Sequence, residues 1–245
     1  MARLRILVVG VAVLLLAACT QLPRRSAEPP LRVLFLGNSL TATNDLPAVV
    51  AELAKTFGPR AIEYRTIAPG GASLEDQWNG GTAREAIEAG RWDAVVMQQG
   101  PSALPESQAN LREWTQRFAA AAREHGARPA LLTVWPERYR SNVFADVVAS
   151  YRNAAAAAKA ELLPAGVAWQ AAWRRNRALP LYGPDGFHPS ELGTYLTAIV
   201  VLAGLTGDAP VGLPVSIDGR GFSLQVSASR ARLLRDAAAE ALRSR

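Results

Sequence analysis

Along the chain, short apolar runs alternate with longer stretches in which apolar positions recur every three to four residues. The first run, residues 31–36 (LRVLFL), is rich in β-branched, aromatic and aliphatic side chains and stops at Gly37, which predicts a strand. Asp45 then stands as an N-cap, with Pro47 in the first turn of a helix reaching about Phe57. A second strand is predicted over 61–68, stopped by Pro69-Gly70-Gly71, and a short helix over 82–89. Residues 92–97 (WDAVVM) predict a third strand, apolar enough to be covered on both faces of a parallel sheet. A helix over 107–125 ended by Gly126, a fourth strand over 130–135 and a helix over 142–163 follow. Beyond that the pattern weakens. Residues 167–173 read as a short strand entering a helix, and 227–243 as a terminal amphipathic helix. Residues 191–205 are apolar nearly all round and predict a buried helix. Strand and helix alternating in this way predict an α/β domain, a doubly wound parallel sheet of about five strands with helices on both faces. Such sheets bind ligands outside the carboxyl ends of their strands, so the segments after each strand are where chemistry is expected.

The N-terminus breaks the pattern. Arg3 and Arg5 precede an apolar run over 6–16, too short for the about 20 residues that cross a bilayer. Leu16-Ala17-Ala18 then leads into Cys19. A charged start, a short apolar run and small residues predict a secretory signal over 1–18. The Leu-Ala-Ala-Cys junction resembles the lipobox of bacterial lipoprotein precursors, which implies cleavage before Cys19 and a diacylglycerol on its thiol. The expected location is the periplasmic face of a membrane, the outer in preference to the inner. Cys19 is the only cysteine, so no intrachain disulfide and no cysteine metal site can form. Residues 19–30, with three prolines and no periodicity, read as a lipidated tether, and the domain as 31–245. Without residues 1–18, which carry Arg3 and Arg5 and no acid, the formal charge falls from +6 to +4. The remaining basic residues are scattered among acids except at Arg174, Arg175 and Arg177, a solvated face that gives no reason to expect a nucleic-acid partner.

The post-strand segments hold the candidate chemistry. There are two histidines. His125 precedes Gly126 at a predicted helix end and suits the helix dipole there. His188 lies in the loop Asp185-Gly186-Phe187-His188-Pro189, three residues after a carboxylate. That spacing lets Asp185 hold Nδ1–H and leaves Nε2 as a base, the arrangement a serine nucleophile requires. Ser39, Ser73 and Ser102 are the candidate nucleophiles. Ser39 follows the first strand directly and precedes a helix, where backbone amides could face a developing oxyanion. No G-x-S-x-G elbow occurs.

Phe35-Leu36-Gly37-Asn38-Ser39-Leu40-Thr41 resembles the first block of the SGNH (GDSL-type) hydrolases, and Asp185-Gly186-Phe187-His188-Pro189 their D-x-x-H-P block. The resemblance extends from about Leu31 to Gly204. It implies a flavodoxin-like sheet and a serine hydrolase of carboxylic (acyl or acetyl) esters. Ser39 would be the nucleophile, His188 the base and Asp185 its orienting acid, with no cofactor and no metal. It also implies an oxyanion hole from the Ser39 and Gly71 N–H groups. The family's third donor, an Asn after the third strand, is missing: Gly100-Pro101-Ser102-Ala103 occupies that register. Gln98 is the favoured replacement, because alternation along the strand would send Gln99 to the opposite face; Gln99 and Ser102 are the alternatives. Glycan or lipid esters of the cell envelope are the expected substrates. The competing expectation is a catalytically silent lipoprotein that binds a glycan or lipid, with Trp78, Trp135 and Trp169 as sugar platforms.

Overall fold

The computed structural model describes residues 28–207, 216–219 and 222–244. The signal segment 1–18, Cys19 and the tether up to residue 27 lie outside the described residues. Where the described chain begins, the Arg60 Nε–H donates to the Pro29 carbonyl at 2.9 Å, just ahead of the first strand.

The core is a five-stranded parallel sheet in the order β2-β1-β3-β4-β5, a flavodoxin-like arrangement. The strands are β1 (Leu31–Leu36), β2 (Ile62–Ile67), β3 (Ala94–Met97), β4 (Arg128–Leu132) and β5 (Glu161–Leu163). β1 pairs with both β2 and β3, and it is buried along nearly its whole length, which is why LRVLFL lacks alternation. Helix α1 (Ser39–Ala42) follows β1 directly, and α2 (Leu46–Phe57) leads to β2. Helices α3 (Leu74–Asn79) and α4 (Thr82–Ala89) connect β2 to β3, α5 (Pro105–Glu124) connects β3 to β4, and α6 (Phe144–Ala158) connects β4 to β5. After β5 come α7 (Ala165–Arg175), α8 (Glu191–Thr206), an antiparallel hairpin of β6 (Ser216–Gly219) and β7 (Phe222–Gln225), and α9 (Ala228–Arg243). Helix α2 packs with α8, and α8 with α7 and α9; α5 packs with α6 and α3.

The apolar helix expected over 191–205 is α8, and every residue from Leu192 to Leu205 in it is buried. Each fully buried Leu, Ile or Val side chain contributes about 1.5–3 kcal/mol, so this helix anchors one side of the molecule. Gly193 lets it sit so deep: a Cβ there would overlap the Leu181 carbonyl and lie 2.6 Å from Trp169.

Two expectations are corrected. The helix expected over 142–163 ends at Ala158, and Glu161–Leu163 is strand β5. The helix is stopped by Lys159 in the left-handed conformation (φ 50°), a cap without the usual glycine. Residues 167–173 form no strand; they lie wholly within α7. The β6–β7 hairpin had no counterpart in the expected elements.

Candidate active site

The strand order reverses between β1 and β3, and the segments leaving their carboxyl ends meet there. Asn38 caps α1: its Oδ1 accepts the Leu40 N–H at 3.0 Å and its Nδ2 donates to the Ala72 carbonyl at 3.2 Å. Ser39 is thus the first residue of a helical turn. Gly37 has to be glycine for the turn to form, since a Cβ would overlap Thr41 Oγ1 and lie 2.7 Å from Gln98 Oε1.

Ser39 Oγ lies 2.9 Å from His188 Nε2, and His188 Nδ1 lies 2.5 Å from Asp185 Oδ2. The other carboxylate oxygen of Asp185 accepts the N–H groups of Phe187 and His188, each at 3.0 Å. The spacing Asp-x-x-His therefore closes on itself, with Gly186 at φ 70° making the bend. The His188 ring bond, followed by the Phe187 N–H, holds the Asp185 carboxyl below the usual carboxylate range. The loop is tied down at both flanks: Gly183 N–H donates to the His188 carbonyl at 2.7 Å, and Trp135 Nε1–H to the Phe187 carbonyl at 3.0 Å.

A cleft of about 580 Å³ opens beside Ser39, lined by Gly71, Ala72, Gln99, Ser102, Asn110 and Phe187 among others. Gly71 has φ 73°, which turns the backbone after β2 toward this cleft at no cost to a residue without Cβ. Among the described residues neither the Ser39 nor the Gly71 N–H has an intramolecular acceptor.

The other two serines fare differently. Ser73 caps α3 in a capping box: its Oγ accepts the Asp76 N–H at 3.1 Å and donates to Asp76 Oδ2 at 2.7 Å. The Ser73 N–H and hydroxyl together lower the Asp76 pKa. Ser102 lines the cleft, donating to the Gly100 carbonyl at 3.2 Å, and no histidine ring bonds it. His125 caps the end of α5, with Nδ1 3.0 Å from the Ala121 carbonyl.

Gln98, the favoured third donor, is corrected. Its Nε2 already donates to Asn38 Oδ1 at 3.0 Å and to the Gln99 carbonyl at 2.6 Å, and its Oε1 accepts the Asn38 N–H and the Thr41 hydroxyl at 3.0 and 2.7 Å. Both amide protons are engaged, and the side chain lies beneath the Ser39 turn instead of in the cleft. Strand alternation does not apply past Met97, where β3 has ended. Gln99 is the one that lines the cleft. Its Oε1 accepts the Leu74 N–H at 3.1 Å, while Nε2 reaches Ser102 Oγ at 3.1 Å and Asn110 Oδ1 at only 3.5 Å. The buried Tyr151 hydroxyl fixes this loop by donating to the Gln99 and Gly100 carbonyls at 2.5 and 3.1 Å, and burial pushes its pKa up.

The expected sugar platforms are not available as such. Trp135 and Trp169 are 2% and 0% exposed and stack on each other at 3.4 Å. Trp78 is half-buried against Trp114 and Phe118. Two residues that bear on the site escaped the sequence reading: Asn38, visible as a potential N-cap, and Asn44, whose partners lie about 150 residues away and leave no local signal.

No family model and no curated protein matches the sequence. Solved structures do. A protein from Slackia heliotrinireducens described as an SGNH hydrolase is 30% identical, with a TM-score of 0.63; the match covers 74% of this chain and 100% of that one. A DUF4886 family protein from Bacteroides uniformis shares the fold at 18% identity and TM-score 0.69, covering 87% of this chain and 95% of its own. The lipase/acylhydrolase from Enterococcus faecalis does so at 17% identity and TM-score 0.58, covering 74% and 100%. The chain belongs to the SGNH hydrolase family.

Proposed function

We propose that the protein is a serine esterase that cleaves carboxylic esters, with Ser39 as nucleophile, His188 as base and Asp185 as the group that orients it. The observation that carries this reading is the unbroken chain from Ser39 Oγ through the His188 ring to Asp185 Oδ2, at 2.9 and 2.5 Å. His188 Nε2 takes the hydroxyl proton as Oγ attacks the ester carbonyl, and Asp185 stabilises the resulting imidazolium. The carbonyl oxygen, now negative, meets the N–H groups of Ser39 and Gly71. Gln99 Nε2 turns from its long contact with Asn110 to serve as the third donor. His188 then protonates the departing alcohol, leaving an acyl-serine. Water, deprotonated by the same nitrogen, releases the acid and restores Ser39.

The cleft beside Ser39 is walled by Ala72, Ser73, Gln99, Ser102 and Asn110 together with the apolar Pro101 and Phe187. The Leu-Ala-Ala-Cys19 junction supports a domain over 31–245 tethered by a lipid at Cys19 to the periplasmic face of a membrane. Esters on envelope glycans or lipids are then within reach.

The test is turnover of p-nitrophenyl acetate together with labelling by a fluorophosphonate probe. Both are expected in the wild type, with the label on Ser39; a protein that neither turns over nor labels overturns the reading. For the anchor, Cys19→Ala should abolish palmitate incorporation and membrane fractionation, and undiminished incorporation would overturn it.

A further inference from the structure

Ser39 and His188 are 149 residues apart and sit on separate segments of the chain. A shared position at 2.9 Å therefore has to be held by something that joins the segments. Apart from the bond between the two side chains themselves, among the described residues one side chain makes hydrogen bonds from residues 37–45 to residues 183–194: Asn44. Its Nδ2 donates to the Pro189 carbonyl at 3.1 Å and to Thr194 Oγ1 at 2.9 Å. The first acceptor belongs to the residue directly after His188. The second is a 1% exposed hydroxyl in the first turn of α8, the most deeply buried helix of the fold.

The backbone is shaped for this contact. Asn44 (φ 55°, ψ 21°) and Asp45 (φ 47°, ψ 59°) are consecutive non-glycine residues in the left-handed region, a conformation that persists only where surrounding structure holds it. Asp45 uses it to cap α2, accepting the Ala48 N–H at 3.4 Å. Asn44 uses it to aim its amide across to the loop after His188. Asparagine meets both needs, since it tolerates left-handed backbone and supplies two N–H donors on a short stem. Aspartate would offer only oxygens to a carbonyl; glycine would keep the backbone and offer nothing.

We infer that Asn44 is a positioning residue, which sets the distance between the nucleophile and its base by bracing the Pro189–Ser190 peptide, directly after His188, against the Ser39 segment and α8. The inference rests on the esterase reading and acts through His188, without contact to the reacting atoms. Misplacement of a reacting group by about 1 Å costs roughly 10²-fold.

Steady-state hydrolysis of p-nitrophenyl acetate and the rate of fluorophosphonate labelling test it in the wild type and in Asn44→Gly and Thr194→Val. Asn44→Gly keeps the left-handed backbone and removes the donors. It should lower kcat and the labelling rate together by roughly 10–10²-fold, with KM within about twofold. Both rates within about twofold of wild type would show that only the backbone shape matters, and would overturn the inference. Should Asn44→Gly fail to fold, Thr194→Val decides: it removes one acceptor at nearly constant shape. A several-fold loss of kcat at unchanged KM supports the brace, and unchanged kcat overturns it. A wild type that neither turns over nor labels overturns the esterase reading and the brace with it, whereas an active wild type matched by its variants overturns the brace alone.

Discussion

The turn that carries Ser39 is mostly buried and is held by partners remote in sequence. The loop that carries His188 is half exposed; its bonds to the ring are local, and remote partners hold only its backbone. Beneath Ser39, Gln98 reaches across 60 residues to Asn38 and 57 to Thr41, Gln77 reaches across 40 to donate to the Gly37 carbonyl at 2.8 Å, and Asn38 reaches across 34 to Ala72. Around His188 the bonds to Asp185 span three residues and that to Gly183 five, while Trp135 and Asn44 reach the carbonyls on either side of it from 52 and 145 residues away. A buried network whose polar groups are mutually satisfied loses much when one member goes, because each stranded partner stays desolvated. A local ring at the surface can lose a member and let water replace it. The same hydrogen-bonded chain therefore joins one half locked by buried partners and one half whose innermost ring, Asp185 and His188, lies open to water.

The strongest way to break this comparison is to remove what the two halves share. Ser39→Ala and His188→Ala should each lower kcat by about 10⁴-fold or more with little loss of melting temperature, because neither side chain supports the packing. An active His188→Ala enzyme would end the triad.

The adjacent glutamines sharpen the contrast. Gln99→Ala should act on rate, lowering kcat by roughly 10²-fold at nearly unchanged KM, as for an oxyanion donor. Gln98→Ala strands the Asn38 N–H and the Thr41 hydroxyl. At about 1–3 kcal/mol for each unsatisfied buried group, it should show first as a lowered denaturation midpoint. Thermal melts beside kinetics separate them: a stable Gln98→Ala protein with kcat reduced as far as Gln99→Ala would restore Gln98 as the donor.

Asp185→Asn should be milder than loss of the imidazole, since the base remains and only its orientation and tautomer suffer. It should also leave the smallest mark, a pH-dependent one. The folded-state pKa of Asp185 is depressed, so the stability it contributes is present above the unfolded value and is lost as pH falls through the folded one. The gap in melting temperature between wild type and Asp185→Asn should therefore close below the ordinary Asp range. The side chain is half exposed, which keeps the gap small. A gap that widens in acid would contradict the assignment.

Legibility in the sequence followed the same division between local and remote. β1, α2, α4 and α8 were readable because their signals are confined to their own residues: an apolar run, a cap with Pro47, a two-turn amphipathic helix, a helix apolar all round. The Asp185–His188 loop was readable for the same reason. β5 was not, since its three residues follow an alanine-rich helix that stops without glycine or proline. That Gln98 lies under the Ser39 turn while Gln99 lines the cleft was not readable either. It depends on which side chain lies under a turn 60 residues earlier, and alternation carries no information once the strand has ended.

The stacked pair of Trp135 and Trp169 has a consequence in optics. Two indoles 3.4 Å apart and 12° from parallel share their excited states, so their near-ultraviolet circular dichroism is a coupled signal that neither would give alone. Trp135 also donates its ring N–H to the carbonyl just before His188. Any departure of that loop frees the indole nitrogen and shifts the coupled band. The protein thus contains an intrinsic chromophore pair that reports, without label or substrate, whether the histidine is docked.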